Sequence, residues 1–444
     1  MNVRSRLTLL AGVVAGMAVL IGGGPVPRAA VSHSNSQVVT QPGISSGLAL
    51  SIPTVTPPKV SVAHAQEVAH AQEASLATAA ALKSQAGRAS SSSASPILLY
   101  GQDWNGAPSG RSTAAWQQVA MTHAVLVGSP GKVYGGMIAQ LHAWNPALKV
   151  LVYDLGPYTI AGSTEYTELM ASHPDYFARD ASGKLITVKA ASGSPAFPKN
   201  TLMDEANLGW QAWEAQRIAS NIAKYGFDGA YVDSMDASPM SGTTTGVPID
   251  PSTGQAFTKP SWMQAAGHTL SVIKAAIGTK FLFSTGLVNG LEFTAFTHYL
   301  SDSTANGVQT DSWLRVASNS PTQYPSTAIL AADLAMVETL NAEGKSFFAW
   351  TKVWTSATTA EEAAWNTYAL AAYLLVDNGV SDYYDFSTPS SSADRTTIYF
   401  PDELAALGAP LGAFSLSSGV YRRTFAHGQV TLNTTTNTAS ITTT

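Results

Sequence analysis

An eight-stranded β/α barrel is the fold class this sequence predicts, and three observations predict it. Eight short apolar runs recur between residues 97 and 386, helical stretches separate them, and no G-x-G-x-x-G follows the first run, as a dinucleotide fold would require. Short, continuously apolar runs are what parallel strands buried on both faces look like.

The elements follow in order. Arg4 and Arg6 precede an apolar run from Leu7 to Ile21 that Gly22 to Pro25 ends, so residues 1–24 read as a signal peptide or anchor. Residues 25–95 are rich in Ser, Ala, Val, Gln and Pro, and repeat the pentad AHAQE at Ala63–Glu67 and Ala69–Glu73. This composition has too little large apolar surface to fold alone and reads as a low-complexity linker. His64 and His70 in such a tract read as solvated side chains. All ten Trp lie beyond Ser95, where the globular part begins.

The barrel is expected over residues 96–412, its strands at 97–104, 123–130, 149–157, 228–236, 280–287, 307–313, 345–353 and 380–386. Expected helices include Glu205–Tyr225, closed by Gly226, and Trp262–Ile277, closed by Gly278. Ser326–Ala342 and Thr359–Val376 complete the set. The stretch from Pro157 to Asn200 is too long for a simple βα loop and is expected to shape a binding site over the barrel mouth. Residues 413–444 read as a β segment, with GVYRRTF and QVTLN forming a hairpin turned at His427-Gly428.

Composition narrows the function. Charged residues make up 12% of the chain and the net charge is -5, which gives no basic face for nucleic acid. A membrane is expected only through the N-terminal anchor. Cysteine is absent, which excludes disulfide scaffolds, thiolate metal sites and a Cys nucleophile. No H-E-x-x-H or G-x-S-x-G occurs, so a zinc hydrolase or a serine esterase has little support, and no metal or cofactor is expected.

In a β/α barrel the reactive groups stand where strands end. Strand 1 offers Asp103 and Trp104, strand 3 Asp154, strand 4 Asp233 with Asp236 just beyond, and strand 6 Asp311 and Trp313. Strand 7 offers Trp350, Lys352 and Trp354, and strand 8 Asp382 and Asp385. Carboxylates crowded in one pocket repel each other and raise some of their pKa values, which is unfavourable unless the site uses it. A neutral acid beside an ionised one is what glycoside hydrolysis needs, and aromatic faces stack on sugars. Asp233 is therefore the expected nucleophile and Asp311 the general acid/base. Asp103, Trp104, Asp154, Asp236, Trp313 and Trp350 are expected to bind substrate. Asp103 and Asp154 could instead set pKa values or be structural, Asp236 could cap the following turn, each Trp could be core, and Glu292 is a rival acid. Asp228, in the GFDG turn before strand 4, is expected at the opposite, stabilising end.

The segment YGFDGAYVDSMDASP (225–239) resembles the fourth-strand motif of glycoside-hydrolase-type barrels, including the endo-α-1,4-polygalactosaminidases. Taken with NGVQTDSW and GVYRRTF-x3-QVTLN, the chain over roughly residues 96–435 is similar to the hypothetical glycosyl hydrolase-like family 15. The resemblance implies a barrel hydrolase with Asp233 catalytic. In that pattern the sixth-strand position is usually a glutamate, whereas this chain has Asp311. The expected function is thus a secreted or cell-surface, retaining glycoside hydrolase acting on polysaccharide. The alternative is a non-catalytic carbohydrate-binding protein on the same scaffold.

Overall fold

The computed structural model describes residues 97–103, 111–130, 132–189, 200–388, 396 and 400–444. The expected signal and linker, and Trp104, lie outside the described residues.

Eight parallel strands close into a barrel: β1 (Leu99–Asp103), β2 (His123–Gly128), β3 (Lys149–Asp154), β4 (Gly229–Val232), β5 (Phe281–Leu287), β6 (Gly307–Thr310), β7 (Ser346–Lys352) and β8 (Tyr383–Ser387). Each strand pairs with its neighbours in sequence, and β8 returns to β1, so no edge is left open. All eight expected strands are present. The helices are α1 (Thr113–Thr122), α2 (Lys132–Trp144), α3 (Thr164–Ser172), α4 (Leu208–Tyr225), α5 (Lys259–Ile277), α6 (Gly290–Ala295), α7 (Thr327–Ala342) and α8 (Thr359–Val376). Their ends follow local chemistry. Asn207 and Ser326 accept N-terminal backbone N–H groups, a Thr358/Glu361 capping box starts α8, and Gly226 takes the left-handed conformation (φ 80°) after α4.

Side chains alternate along each strand, so one set points between the strands and the helices and the other into the barrel. The outward set forms the main core with the helices; the inward set is unusually aromatic. Phe283 and Phe348 stack at 3.8 Å between ring centroids, and Tyr383 continues the stack at 4.4 Å from Phe348. These rings plug the barrel and give its C-terminal mouth a solid floor.

The opposite end is stitched by carboxylates. Asp228 accepts the Val150 N–H and meets His142 Nε2, both at 2.8 Å. Asp382 accepts N–H groups from Phe347, Asn378 and Asn341 at 2.9–3.0 Å. Asp382 therefore precedes β8 and belongs to this end, not to the mouth where the sequence reading put it.

The long β3–α4 segment pairs Tyr158–Ile160 with Asn200–Leu202 and buries Leu169, Phe177, Met203 and Trp210 in a cluster of its own. The C-terminal hairpin is larger than expected. Ser415–Ser417 (β9), Val420–Phe425 (β10), Gly428–Asn433 (β11) and Thr438–Thr443 (β12) form a four-stranded antiparallel sheet, and the turn sits one residue earlier, at Ala426-His427. Its buried face (Tyr421, Phe425, Val430, Leu432) joins the main core beside α8.

Asp333 on α7 is 2% exposed and accepts the Gly290 N–H at 2.7 Å, tying α6 to α7. Burial raises its pKa to about 7, partly offset by that bond. The folded state thus binds a proton that the unfolded chain has already lost above its ordinary carboxylate pKa, so stability falls as pH rises toward 7. Asp333→Asn keeps the acceptor oxygen without the charge. It is expected to raise Tm by a few degrees at pH 8 and to change it little at pH 4, measured by thermal unfolding.

Candidate active site

Alternation decides which strand-end carboxylates share a space. On β4, Tyr231 lies in the inner cluster and Val232 in the outer core, so Asp233 continues the inward set. On β6, Val308 is outward, which turns Gln309 and Asp311 inward. Trp350 and Lys352 on β7 also face in.

Asp233 is partly exposed at the mouth. Its Oδ2 accepts the Tyr153 hydroxyl at 2.7 Å, and its Oδ1 accepts the Ser234 N–H at 2.7 Å and the Thr285 hydroxyl at 3.2 Å. Burial and then the charge of Asp311 push its pKa up to about 6, against the pull of those three donors. Burial, and then the nearby Asp233 charge, raise Tyr153 well above its ordinary value, so its O–H is a permanent donor.

Asp311 is the more open partner, its side chain 36% exposed. Gln309 Nε2 donates to its Oδ1, and Lys352 Nζ lies 3.3 Å from its Oδ2. Gln309 also donates to Tyr231 Oη at 3.3 Å, and Tyr231 stacks on Tyr153 at 5.7 Å. The two carboxylates are thereby joined by one continuous inward network. The Lys352 ammonium rests over Trp350 (3.7 Å to the ring centroid) and within 5.2 Å of Trp354, where cation–π attraction holds it in place.

The chain after Asp233 turns sharply, with Ser234 at φ 62°. Gly156 (φ 65°) presses on this turn: a Cβ there would collide with the Asp233 carbonyl oxygen. Asp236 stands beyond the turn, half-buried, and caps it by accepting the Ser238 N–H at 2.8 Å. Burial lifts its pKa to about 6, with the Asp311 and Glu292 charges adding to the rise and the Ser238 bonds opposing it. Asp236 thus serves the turn, and the charges of Asp311 and Glu292 still reach it.

Three expected positions are corrected. Asp103 and Asp154 follow outward parity, away from the mouth. Asp103 is enclosed by Tyr134 Oη (3.0 Å) and Arg111 Nη1 (3.1 Å), and Asp154 by Arg217 Nη2 (2.8 Å to Oδ2) and the Gly156 N–H (3.0 Å to Oδ1). Trp313 is 1% exposed in the outer core against Phe347, its indole N–H donated to Ala369 O at 3.0 Å. It packs β6 onto α8 and offers no face to a sugar. Trp350 does stand inside the barrel but is 2% exposed, as floor beneath Lys352. Glu292 lies on α6 at the rim, half-buried. The sequence reading missed Tyr153, Thr285 and Gln309. Their signal was position: each shares the inward parity of its strand. Among the described residues, no group of three or more His, Cys, Asp or Glu is arranged to hold a metal ion.

The family model of the hypothetical glycosyl hydrolase family 15 matches residues 142–429. Among solved structures, the chain is similar to an alpha-galactosidase from Thermus thermophilus in complex with p-nitrophenyl alpha-D-galactopyranoside, at 14% identity and a TM-score of 0.42, over 74% of this chain and 65% of that one. It is also similar to a GH31 family sulfoquinovosidase from E. rectale, at 14% identity and a TM-score of 0.43, over 66% and 43%. A cycloisomaltooligosaccharide glucanotransferase from Paenibacillus sp. aligns at 12% identity and a TM-score of 0.40, over 58% and 38%. The chain thus spans less than two thirds of each of these. No curated protein matches it.

The close approach at Gly156 gives a direct test. Gly156→Ala is expected to lower Tm by several degrees. Gly162→Ala, at a similar φ of 83° but with nothing within 4 Å of the added carbon, should cost much less in the same thermal unfolding measurement.

Proposed function

The chain belongs to the hypothetical glycosyl hydrolase family 15, and from that premise we propose that it is an exported, retaining glycoside hydrolase acting on extracellular polysaccharide. The observation that carries this reading is a pair of carboxyls of unlike surroundings in one mouth. Asp233 is held as an oriented acceptor by three donors, whereas Asp311 is the more open to water.

In the first step an Asp233 oxygen attacks the anomeric carbon. The bond to the leaving oxygen breaks, and Asp311 supplies the proton that oxygen takes. In the second step Asp311 removes a proton from water, the water oxygen attacks the same carbon, and the bond to Asp233 breaks. Both carboxyls return to their starting states. The exposure of Asp311 suits a group that must reload its proton each cycle, and Lys352 with Gln309 fixes its direction. Tyr153 and Thr285 hold the Asp233 lone pairs in line. Asp236 accepts substrate hydroxyls at the rim. Export rests on Arg4, Arg6 and the apolar run after them.

A panel of 4-nitrophenyl glycosides and polysaccharides tests the assignment. Asp233→Asn is expected to lose activity on all of them, by about 10³-fold or more, while still folding. Asp311→Asn should lose most on polysaccharide and far less on aryl glycosides, whose leaving group needs no proton. Full turnover by Asp233→Asn would end the assignment, and sugar binding without turnover by any form would favour the non-catalytic alternative.

The pH profile gives a second check. Asp233 must be ionised to attack, so kcat/KM should fall as pH drops through about 6.

A further inference from the structure

Glu214, on α4, plays no part in the steps above. It is 0% exposed, and neither of its carboxyl oxygens receives a hydrogen bond. Arg217 Nη2 lies 3.9 Å from Glu214 Oε1 but 2.8 Å from Asp154 Oδ2, so the guanidinium is committed to Asp154. A bare carboxylate at this depth, with no donor, would cost far more than a neutral acid. A proton turns one of its oxygens into a donor, and the Asp154 carboxyl, bound to the same Arg217 Nη2, is the acceptor beside it.

We propose, resting on the hydrolase reading, that Glu214 is a positioning residue: it keeps its carboxyl proton and donates it to Asp154, and the pair clamps the end of β3 against Asp233. The surrounding charges agree. Asp154 faces it from β3, and Glu165 on α3 stands 3.8 Å from Arg217 Nη1. Asp204 and Glu205 precede α4, and α5 adds Thr269, bonded to Glu205 O, and His268, bonded to Gln211. Several carboxyls share the one guanidinium of Arg217, so at least one must stay neutral. Burial first, and then the charge of Asp154, raise Glu214 well above the ordinary carboxylate range.

The clamp reaches the site through the backbone. The Asp154 side chain accepts the Gly156 N–H at 3.0 Å, the Asp154 carbonyl accepts the Asp233 N–H at 2.9 Å, and Gly156 abuts the Asp233 carbonyl. A shift of Asp154 therefore moves Asp233.

Three measurements on the full chain and its Glu214→Gln and Glu214→Ala variants test this. The first is Tm from pH 5 to 9. A proton held in the folded state and lost in the unfolded one makes stability fall as pH rises. Gln, which has no such proton, should show a shallower fall than the wild type. The second is amide exchange in peptides covering Gly156 and Asp233, expected to quicken in Ala and stay unchanged in Gln. The third is hydrolysis of any 4-nitrophenyl glycoside the wild type cleaves. Gln should keep kcat within about twofold, and Ala should lose about 10²-fold in kcat with little change in KM. Equal pH slopes for wild type and Gln, or unchanged exchange in Ala, would overturn the proposal. Absence of hydrolysis by the wild type would defeat the hydrolase reading instead, while the first two measurements still decide the proton and the clamp.

Discussion

The alternation of side chains along eight parallel strands that close on themselves is the constraint from which the rest follows. Once the ring is closed, every second residue is committed to the interior, and the interior here is filled with rings up to its C-terminal rim. Only the last inward residue of a strand can reach the open mouth. That rule brings Asp233 and Asp311 together with Tyr153, Thr285, Gln309 and Lys352 behind them, and sends Asp103 and Asp154 to the helix layer although they too end strands.

Two carboxyls above a floor of aromatic rings would repel each other and resist ionisation if nothing else met them. The structure divides its remedies. Asp233 receives three neutral donors, which orient it without cancelling its charge. Asp311 receives an ammonium that is itself steadied by two indole rings. The result is a pair of like side chains held in unlike surroundings.

Much of this was legible beforehand. The eight runs marked all eight strands because strands buried on both faces cannot hide their apolar character, and Gly226 and Gly278 marked helix ends because few other residues turn the chain there. Asp233 and Asp311 were expected at the mouth from their places after Val232 and Thr310, and the alternation of their strands turns both inward. Asp103, Asp154 and Trp313 were misplaced because counting strand ends ignores which way each end faces. For Asp154 the correction was within reach, since Tyr153 beside it is the residue that turns inward. For Trp313 it was not, because the chain has left β6 there and only contact with Phe347 and Ala369 fixes the ring. The buried partnership of Glu214 with Asp154 joins residues far apart in the chain, and no local pattern announces it.

The four-stranded sheet at residues 415–443 has a consequence for biogenesis. Its apolar face supplies part of the cover for α8, so that helix stays partly bare after the eighth stave has been synthesised. The core therefore cannot be completed until residues 415–443 have left the ribosomal tunnel and paired, so the barrel strands, although all made earlier in synthesis, wait on a sheet that is not part of the barrel.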